Sequence, residues 1–169
     1  MRVPGLTKPA LDIVSIFISG GHNFVGRHGK PSDNFPLEEL ESVECVAGSG
    51  LRGDRYFDHK DNYKGQVTFF DESVFQDLCD SLGVYDKGPE CLRRNILTRG
   101  FDLNRLIGKR FSIQGIEFEG VEESAPCYWM NQAFGRGAEA FLKGRGGLRA
   151  RILTSGRLSR MSNLAAEAQ

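Results

Sequence analysis

The strongest fold signal of the chain is a strand placed directly before a helix, in Gln66-Val-Thr-Phe-Phe-Asp-Glu-Ser-Val-Phe-Gln-Asp-Leu-Cys-Asp-Ser-Leu-Gly83. Residues 66–70 are rich in β-branched and aromatic side chains, which favours a strand. Asp71 is a predicted helix N-cap, since its side-chain oxygen can accept hydrogen bonds from the free amides of a first helical turn. Gly83 is suited to end the helix. Apolar residues recur between them at helical spacing: Val74, Phe75, Leu78 and Leu82.

Further short strands surround this unit. We predict strands over residues 13–18, 40–47, 95–98 and 148–152, and a hairpin over residues 111–119. The last strand has one apolar and one basic face. Short helical turns are predicted over 102–106 and 138–143. Glycine accounts for 21 of 169 residues, about 12% against a typical ~7%, which indicates many tight turns. The pattern predicts a mostly β fold with peripheral helices, either a β-barrel or a sandwich.

The composition predicts one folded domain over residues 1–169. The chain has 22 basic and 22 acidic side chains, which excludes a strongly basic nucleic-acid wrapper and a polybasic membrane binder. The neutral total conceals a difference between the two parts of the chain. Residues 1–92 carry 9 basic and 15 acidic side chains, whereas residues 93–169 carry 13 and 7. The second part can therefore build a local anion site.

The four cysteines are Cys45, Cys79, Cys91 and Cys127. They form no CxxC pair, which argues against a Cys-rich zinc site, and they do not resemble a secreted disulfide framework. The N-terminus lacks the apolar region of a signal peptide, and no apolar stretch approaches the ~20 residues of a membrane helix. We therefore expect a reduced, cytoplasmic protein without membrane or nucleic-acid partners.

Cys127 is the first candidate for chemistry. It lies in Ser124-Ala-Pro-Cys-Tyr-Trp-Met130, between a predicted strand and the chain's only tryptophan, Trp129. Nearby positive charge stabilises a thiolate and makes a cysteine reactive. The alternative is that Cys127 is a small buried apolar residue.

Anion-binding and polar-contact candidates come from four further segments. Arg93-Arg94-Asn95 combines guanidinium groups suited to phosphate with an amide suited to a heterocycle edge. Residues 143–151 combine glycines with Arg145 and Arg149. Asp54, in a glycine-rich loop, can orient a polar ligand or an arginine, and His22 is a candidate pocket residue. For each, a solvated surface or turn role is the alternative.

The ordered series of these segments resembles the MOSC domain, named after the C-terminal part of eukaryotic molybdenum cofactor sulfurases. The matching pieces cover roughly residues 10–155 and resemble short, free-standing bacterial members. They are Gly50-Leu-Arg-Gly-Asp54, Gln66-Val-Thr-Phe-Phe-Asp-Glu72, Arg93-Arg-Asn95, Gly100-Phe-Asp-Leu103, Leu106-Ile-Gly108 and Pro126-Cys127.

The resemblance implies a mixed β-barrel and binding of a molybdenum–pterin cofactor (molybdopterin). It implies that Cys127 either ligates molybdenum or carries sulfur as a persulfide, and that Arg93 and Asn95 help to hold the pterin and its phosphate. Arg94, Arg145 and Arg149 are further partners for that phosphate. Trp129 or Tyr128 could pack on the pterin, and a position in the core is the alternative for each. Pyridoxal phosphate binding is a further expectation at the level of the family. The chain has Ala125 and Tyr56 where relatives often have Ser and His.

Three functions follow from the resemblance and the residues. The first is a molybdenum-dependent reductase of N-hydroxylated small molecules, which would take electrons from a partner protein. The second is a sulfur carrier that receives a persulfide sulfur on Cys127 from a cysteine desulfurase. The third is a non-catalytic module that binds an anionic small molecule through its arginines.

Overall fold

The computed structural model describes residues 5–21 and 36–161 of the chain. The described strands, in chain order, are β1 (Leu6–Thr7), β2 (Asp12–Ile18), β3 (Glu38–Leu40), β4 (Ser42–Val46), β5 (Gly50–Leu51), β6 (Val67–Asp71), β7 (Ile96–Arg99), β8 (Arg110–Ile113), β9 (Ile116–Glu123), β10 (Leu148–Ile152) and β11 (Gly156–Ser159). The α-helices are α1 (Glu72–Leu82), α2 (Trp129–Ala133) and α3 (Ala138–Leu142). Two short 3-10 helices cover Pro89–Leu92 and Leu103–Leu106.

The strands form a large mixed sheet and a small antiparallel one. The large sheet has eight strands in the order β1-β8-β9-β10-β6-β7-β2-β3, and the small sheet has the order β11-β4-β5. Pairs β1–β8 and β6–β7 are parallel, and the other pairs are antiparallel. The large sheet curls into a half-barrel. The prediction of a mostly β fold with peripheral helices is confirmed.

The strand-to-helix unit forms as predicted. Asp71 ends β6 and caps α1, accepting a hydrogen bond from the Ser73 amide at 2.9 Å. Gly83 ends the helix in the left-handed conformation, with φ of 66°. The parallel neighbour of β6 is β7, where Phe69 lies opposite Ile96. Because α1 lies between these strands in sequence, it returns the chain across one face of the sheet.

The predicted hairpin is formed by β8 and β9. Phe111 lies opposite Phe118 and Ile113 opposite Ile116. The two turn residues between them, Gln114 and Gly115, have φ of 53° and 79°. Positive φ at both positions is typical of the hairpin turn that matches the twist of the flanking strands.

Two hydrophobic clusters cover opposite faces of the large sheet. The first combines inward-facing residues of the large sheet with Val43, Cys45 and Leu158 of the small one. The second combines Phe70 and Leu97 with the buried faces of the three helices. Strand β10 separates its faces as predicted, since Leu148, Ala150 and Ile152 are buried whereas Arg149 and Arg151 are half-buried. Its basic face therefore points away from the first hydrophobic cluster, and its arginines pair with Glu122 and Glu119 on β9.

Two predicted elements differ in extent. The strand predicted over 40–47 is divided, because β3 ends at Leu40 and β4 begins at Ser42, in the other sheet. The helix predicted over 138–143 ends at Leu142. Residues 22–35, which follow β2, lie outside the described residues. Among the described helices, none has the length and apolar content needed to cross a membrane.

Candidate functional site

The segment Arg93-Arg94-Asn95 leads from the 3-10 helix Pro89–Leu92 into β7. Arg93 adopts the left-handed conformation, with φ of 59°. Its guanidinium donates hydrogen bonds of 2.8 Å to the Ser19 hydroxyl and to the Gly21 carbonyl. Arg93 therefore connects this segment to the end of β2.

Arg94 connects three different parts of the chain. Its guanidinium donates to the carbonyls of Gly146 at 2.9 Å, Ser124 at 2.8 Å and Leu92 at 3.3 Å. The pKa of Arg94 is lowered to about 10, mainly by burial and in addition by repulsion from Arg149, while a charge on Cys127 acts in the opposite direction. Arg94 thus lies within electrostatic reach of both Cys127 and Arg149.

The Asn95 side chain forms hydrogen bonds with two neighbouring strands of the large sheet. Its side-chain oxygen accepts hydrogen bonds from the Thr68 amide at 3.0 Å and hydroxyl at 3.1 Å, and its nitrogen donates to the Phe17 carbonyl at 3.1 Å. The side chain is buried, with 2% of its surface exposed. The predicted contact with a pterin edge would have to displace these partners, so in this structure Asn95 joins β2 to β6.

Asp54 fixes the loop that follows β5. Its buried carboxylate accepts from the amides of Ser19 at 3.0 Å and Tyr56 at 3.3 Å, and it pairs with the Arg55 guanidinium at 3.2 Å. Arg55 also donates to the carbonyl of Arg93 at 3.1 Å. Asp54 therefore orients an arginine, the second of the two roles expected for it. Arg55 was not among the predicted site residues, and its position directly after Asp54 was the available signal.

These side chains meet in a small polar cavity of about 50 Å³, which we term the arginine pocket. Its lining consists of Arg55, Tyr56, Tyr63, Gly65, Thr68, Arg93, Arg94, Ser124 and Arg149. Arg149 also forms an ion pair with Glu122 at 3.3 Å, and Glu122 forms a second ion pair with Lys64 at 2.7 Å. The pocket therefore brings together three of the predicted arginines and adds Arg55.

The electrostatics of the arginine pocket favour an anion. Burial lowers the pKa of Arg93 to about 10, and repulsion from Arg55 contributes in the same direction. The carboxylate of Asp54 acts in the opposite direction on the pKa of Arg93. Among the described residues, Arg55 and Arg149 each pair with a single carboxylate. Four guanidinium groups around one small cavity are destabilised by each other, and a bound oxyanion would relieve that repulsion.

An aromatic group forms one wall of the arginine pocket. The rings of Tyr56 and Tyr63 stack with centroids 5.4 Å apart, and His59 packs against both. Burial raises the pKa of Tyr63, and the neighbouring Tyr56 raises it further. The Arg55 guanidinium lies 4.8 Å from the centre of the Tyr56 ring. Nothing in the sequence near Tyr63 indicated that it would reach the pocket.

Cys127 lies in the loop between β9 and α2, and it is exposed. The loop is held by Ser124, whose amide donates to the Gly147 carbonyl at 2.8 Å and whose carbonyl accepts from Arg94. The other three cysteines are buried or half-buried. Burial raises the pKa of Cys45 and of Cys91 to about 12, and it also raises the pKa of Cys79. Of the four thiols in the chain, all within the described residues, Cys127 alone is exposed to a ligand or reagent.

The remaining predicted residues lie apart from the arginine pocket. Arg145 is exposed, its guanidinium lies 4.1 Å from the Phe141 ring centre, and it lines a different shallow cavity with Asp71 and Asp102. Trp129 begins α2 and contacts the ring of Tyr128 edge-on at 5.8 Å. The structure thus brings neither Arg145 nor Trp129 to the pocket. His22 lies outside the described residues.

Known proteins resemble the chain in sequence pattern and in fold. The family model of the MOSC domain matches residues 54–161. The crystal structure of the YuaD protein from Bacillus subtilis has a TM-score of 0.69 at 17% identity and covers 89% of this chain and 91% of that one. YiiM from Escherichia coli has a TM-score of 0.59 at 14% identity, covering 88% and 64%. YiiM from Geobacillus stearothermophilus has a TM-score of 0.61 at 13% identity, covering 88% and 71%.

No curated protein sequence matches the chain significantly. The family match nevertheless extends over well over half of the chain. It begins at Asp54 and includes Cys127 and every residue that lines the arginine pocket. The similar crystal structures share the same fold. The chain therefore belongs to the MOSC domain family.

Proposed function

We propose that this protein binds a molybdenum–pterin cofactor and reduces N-hydroxylated small molecules with electrons from a partner protein. The observation that carries the proposal is the arginine pocket, which lies within electrostatic reach of the exposed thiol of Cys127. The MOSC family is linked to the molybdenum cofactor in general. The site supports the same assignment for this chain because it offers an anion cradle and a soft metal ligand together.

The residues fit such a cofactor in charge and in donor type. The arginine pocket holds about 50 Å³, which is enough for one small oxyanion such as a phosphate group. Its guanidinium groups can form paired hydrogen bonds to phosphate oxygens. A thiolate is a soft ligand of the kind that thiophilic metals prefer. Arg55, Arg93, Arg94 and Arg149 would hold the anionic end of the cofactor, and Cys127 would ligate its metal.

The cofactor would supply the two-electron redox chemistry, whereas the protein supplies binding and orientation. Arg94 sets the position of the Cys127 loop through the Ser124 carbonyl, and it faces the arginine pocket at the same time. Asp54 keeps Arg55 in place. Pyridoxal phosphate, the other family-level expectation, stays a prediction, and its phosphate would compete for the same arginines.

The proposal is tested by the molybdenum and pterin content of the freshly purified protein from a cofactor-competent host. We expect about one molybdenum and one pterin per chain in the parent. Cys127→Ser should lose most of the metal, and Arg149→Gln should lose most of the pterin. Arg149 is preferred to Arg94 for this test because it donates to one carboxylate and not to three backbone carbonyls.

The matched control is Arg157→Gln. Arg157 lies on β11 of the small sheet, is exposed, and donates to the Ser42 hydroxyl. Its replacement should leave both contents at the parent level. A parent protein without molybdenum or pterin, or a Cys127→Ser variant with the full metal content, would show the proposal to be wrong.

A sulfur carrier is the second candidate, favoured by the exposure of Cys127 alone among the four cysteines. In this function the Cys127 thiolate attacks the outer sulfur of a cysteine desulfurase persulfide. A new S–S bond forms on Cys127, and the desulfurase cysteine leaves as a thiolate. Mass spectrometry after incubation with a desulfurase and cysteine should show a gain of about 32 Da, one sulfur atom, on the peptide containing Cys127. A persistently unmodified Cys127 would exclude this function.

A non-catalytic anion-binding module is the third candidate, and the arginine pocket by itself supports it. It differs from the first proposal in the part played by Cys127. Here Cys127→Ser should leave the affinity for a phosphorylated pterin unchanged, while Arg149→Gln should reduce it in a salt-dependent way. A large loss of affinity on replacing Cys127 would contradict the module and favour the metal-binding function.

A further inference from the structure

A second cavity, much larger than the arginine pocket, lies along α2. It has a volume of about 490 Å³, and its described lining is Tyr128, Asn131, Gln132 and Arg136. This volume is in the range of small-molecule sites. None of these residues lines the arginine pocket. The cavity, termed here the α2 cavity, is therefore separate from the arginine pocket.

The α2 cavity and Cys127 belong to one rigid turn. The Met130 amide donates to the Cys127 carbonyl at 2.9 Å, and the Asn131 amide donates to the Tyr128 carbonyl at 3.0 Å. Met130 is buried in the second hydrophobic cluster, together with Phe134 at the end of the same helix. The wall of the cavity consequently keeps a fixed position relative to Cys127.

Two polar side chains of the α2 cavity, Asn131 and Arg136, can donate hydrogen bonds to a ligand. The Asn131 side-chain oxygen accepts from the Glu139 amide at 2.9 Å, which fixes the amide orientation. Within residues 5–21 and 36–161, the side-chain nitrogen of Asn131 makes no hydrogen bond, and Arg136 pairs with no carboxylate. An amide donor and an exposed guanidinium together suit an anionic group.

Tyr128 provides the apolar contact of the cavity. Its side chain is 45% exposed although it is a large aromatic residue. The Trp129 ring packs against it at 5.8 Å with an interplanar angle of 69°. This packing orients the Tyr128 ring, and an aromatic ligand can stack on a fixed ring with favourable energy.

We propose that the α2 cavity binds the substrate, and that it selects a flat aromatic ring bearing a carboxylate or a similar anion. Tyr128 contacts the ring, and Arg136 and Asn131 bind the anion. The link between this cavity and a reaction at Cys127 rests on the proposed function, whereas the binding of an aromatic anion does not. Arg136 is a specificity residue for the substrate and has no part in holding the cofactor.

The test is a binding titration of the full chain with three simple probes. Trp129 is the only tryptophan in the chain and contacts Tyr128, so its fluorescence reports on the cavity. Benzoate carries both the ring and the charge, benzamide lacks the charge, and cyclohexanecarboxylate lacks the aromatic ring. We expect benzoate to bind about tenfold more tightly than either of the others, since one charge-assisted hydrogen bond or one ring contact is then missing.

Three variants assign the site of binding. Arg136→Gln should weaken benzoate binding by about tenfold while leaving its affinity for benzamide unchanged. Tyr128→Leu replaces an exposed side chain and removes the ring contact that both probes use, so it should weaken benzoate and benzamide binding alike. Arg149→Gln should leave benzoate affinity unchanged. Equal affinities for benzoate and benzamide, or a loss with Arg149→Gln in place of Arg136→Gln, would overturn the proposal.

The failure of this inference can be distinguished from failure of the cofactor proposal. Arg136→Gln should retain the molybdenum and pterin content of the parent, and Cys127→Ser should retain benzoate binding. A protein without cofactor that still binds benzoate through Arg136 supports the α2 cavity alone. A loaded protein that binds benzoate no better than benzamide contradicts the α2 cavity alone.

Discussion

Arg94 is the side chain on which the arginine pocket depends most. Its three hydrogen bonds end on backbone carbonyls of Leu92, Ser124 and Gly146. These carbonyls belong to the 3-10 helix before β7, the loop after β9 and the loop before β10. A lysine has one ammonium group and cannot reproduce the planar arrangement of an arginine's donors. Arg94 therefore holds separate segments of the site together and also contributes to its positive charge.

We predict that Arg94→Lys lowers the free energy of unfolding by about 2–3 kcal/mol, because at least one partly buried carbonyl loses its donor. Urea denaturation of the parent and the variant measures this difference. Arg157→Lys is the matched control and should change the free energy by less than about 0.5 kcal/mol, as is usual for an exposed arginine. Equal effects of the two substitutions would contradict the structural role of Arg94.

The residue types at positions 93–95 were predictable, but their partners were not. Guanidinium groups suit anions whatever the fold, so Arg93 and Arg94 were identified as candidates from chemistry alone. Asn95 was expected beside a pterin, yet its amide is engaged by Thr68 and Phe17 on neighbouring strands. Those strands lie 27 and 78 positions away in sequence, and only the sheet pairing brings them together.

Among the structural elements, the loop between α3 and β10 matters most for the site. It contains Gly144, Gly146 and Gly147. A Cβ atom on Gly146 would lie 2.3 Å from the Ser124 carbonyl oxygen, which is also the acceptor of Arg94. Gly144 has φ of +83° and nothing within 4 Å of its ideal Cβ position. Gly147 is restricted in the same way as Gly146, since its Cβ would lie 2.3 Å from the Phe69 carbonyl oxygen. Close approach therefore requires glycine at 146 and 147, whereas backbone conformation alone requires it at 144.

We predict that Gly144→Ala lowers the free energy of unfolding by about 1 kcal/mol, the usual effect of a left-handed alanine. Gly146→Ala should lower it by more than about 2 kcal/mol, because the Ser124 carbonyl must move away from the new methyl group. Urea denaturation of both variants measures the difference.

The displacement in Gly146→Ala should also reach the Cys127 loop. We expect the rate of alkylation of Cys127 by iodoacetamide to change in Gly146→Ala and to stay at the parent rate in Gly144→Ala. If the two variants had the same stability and the same alkylation rate, the packing of this loop against Ser124 would not control the site.

Most elements could be predicted because their signals are local. The cap at Asp71, the helical spacing after it and the hairpin at Gln114-Gly115 each depend on neighbouring residues. The division between β3 and β4 was missed because it depends on which sheet each strand joins. Arg145 was expected beside Arg149 because the two are close in sequence. A turn separates them, and Arg145 packs on Phe141 instead.

At the scale of the whole molecule, the curled sheet gathers positive charge at one place. Arg55 comes from the loop after β5, Arg93 and Arg94 from the approach to β7, and Arg149 from β10. The chain as a whole has no net charge. The local excess of cations therefore arises from the topology. Burial lowers the pKa of both Arg93 and Arg94, and repulsion between the arginines acts in the same direction.

We predict that sulfate at low millimolar concentration raises the Tm of the protein above its value in chloride at equal ionic strength. An oxyanion that binds only the folded state stabilises it by about 1.4 kcal/mol at ten times its Kd, which corresponds to a Tm increase of about 4 °C for a chain of this size. Differential scanning calorimetry of the cofactor-free protein measures the shift.

Arg149→Gln should abolish the sulfate-dependent part of the Tm increase, whereas Arg157→Gln should retain it. Sulfate also stabilises proteins generally by exclusion from their surfaces, and that effect would be the same in both variants. An identical increase in both would therefore mean that the arginine pocket binds no oxyanion.

The amino-acid pattern was sufficient to predict the fold class, most of the strands and the types of residue available for chemistry. Hydrophobic periodicity, caps and turns are local properties, so they can be identified without knowing the rest of the fold. The tertiary structure alone decided which side chains meet. It added Arg55 and Tyr63 to the arginine pocket, left Arg145 outside it, and exposed Cys127 while burying Cys45. The physical reason is that charge repulsion, burial and ligand contact act across space between residues far apart in the chain.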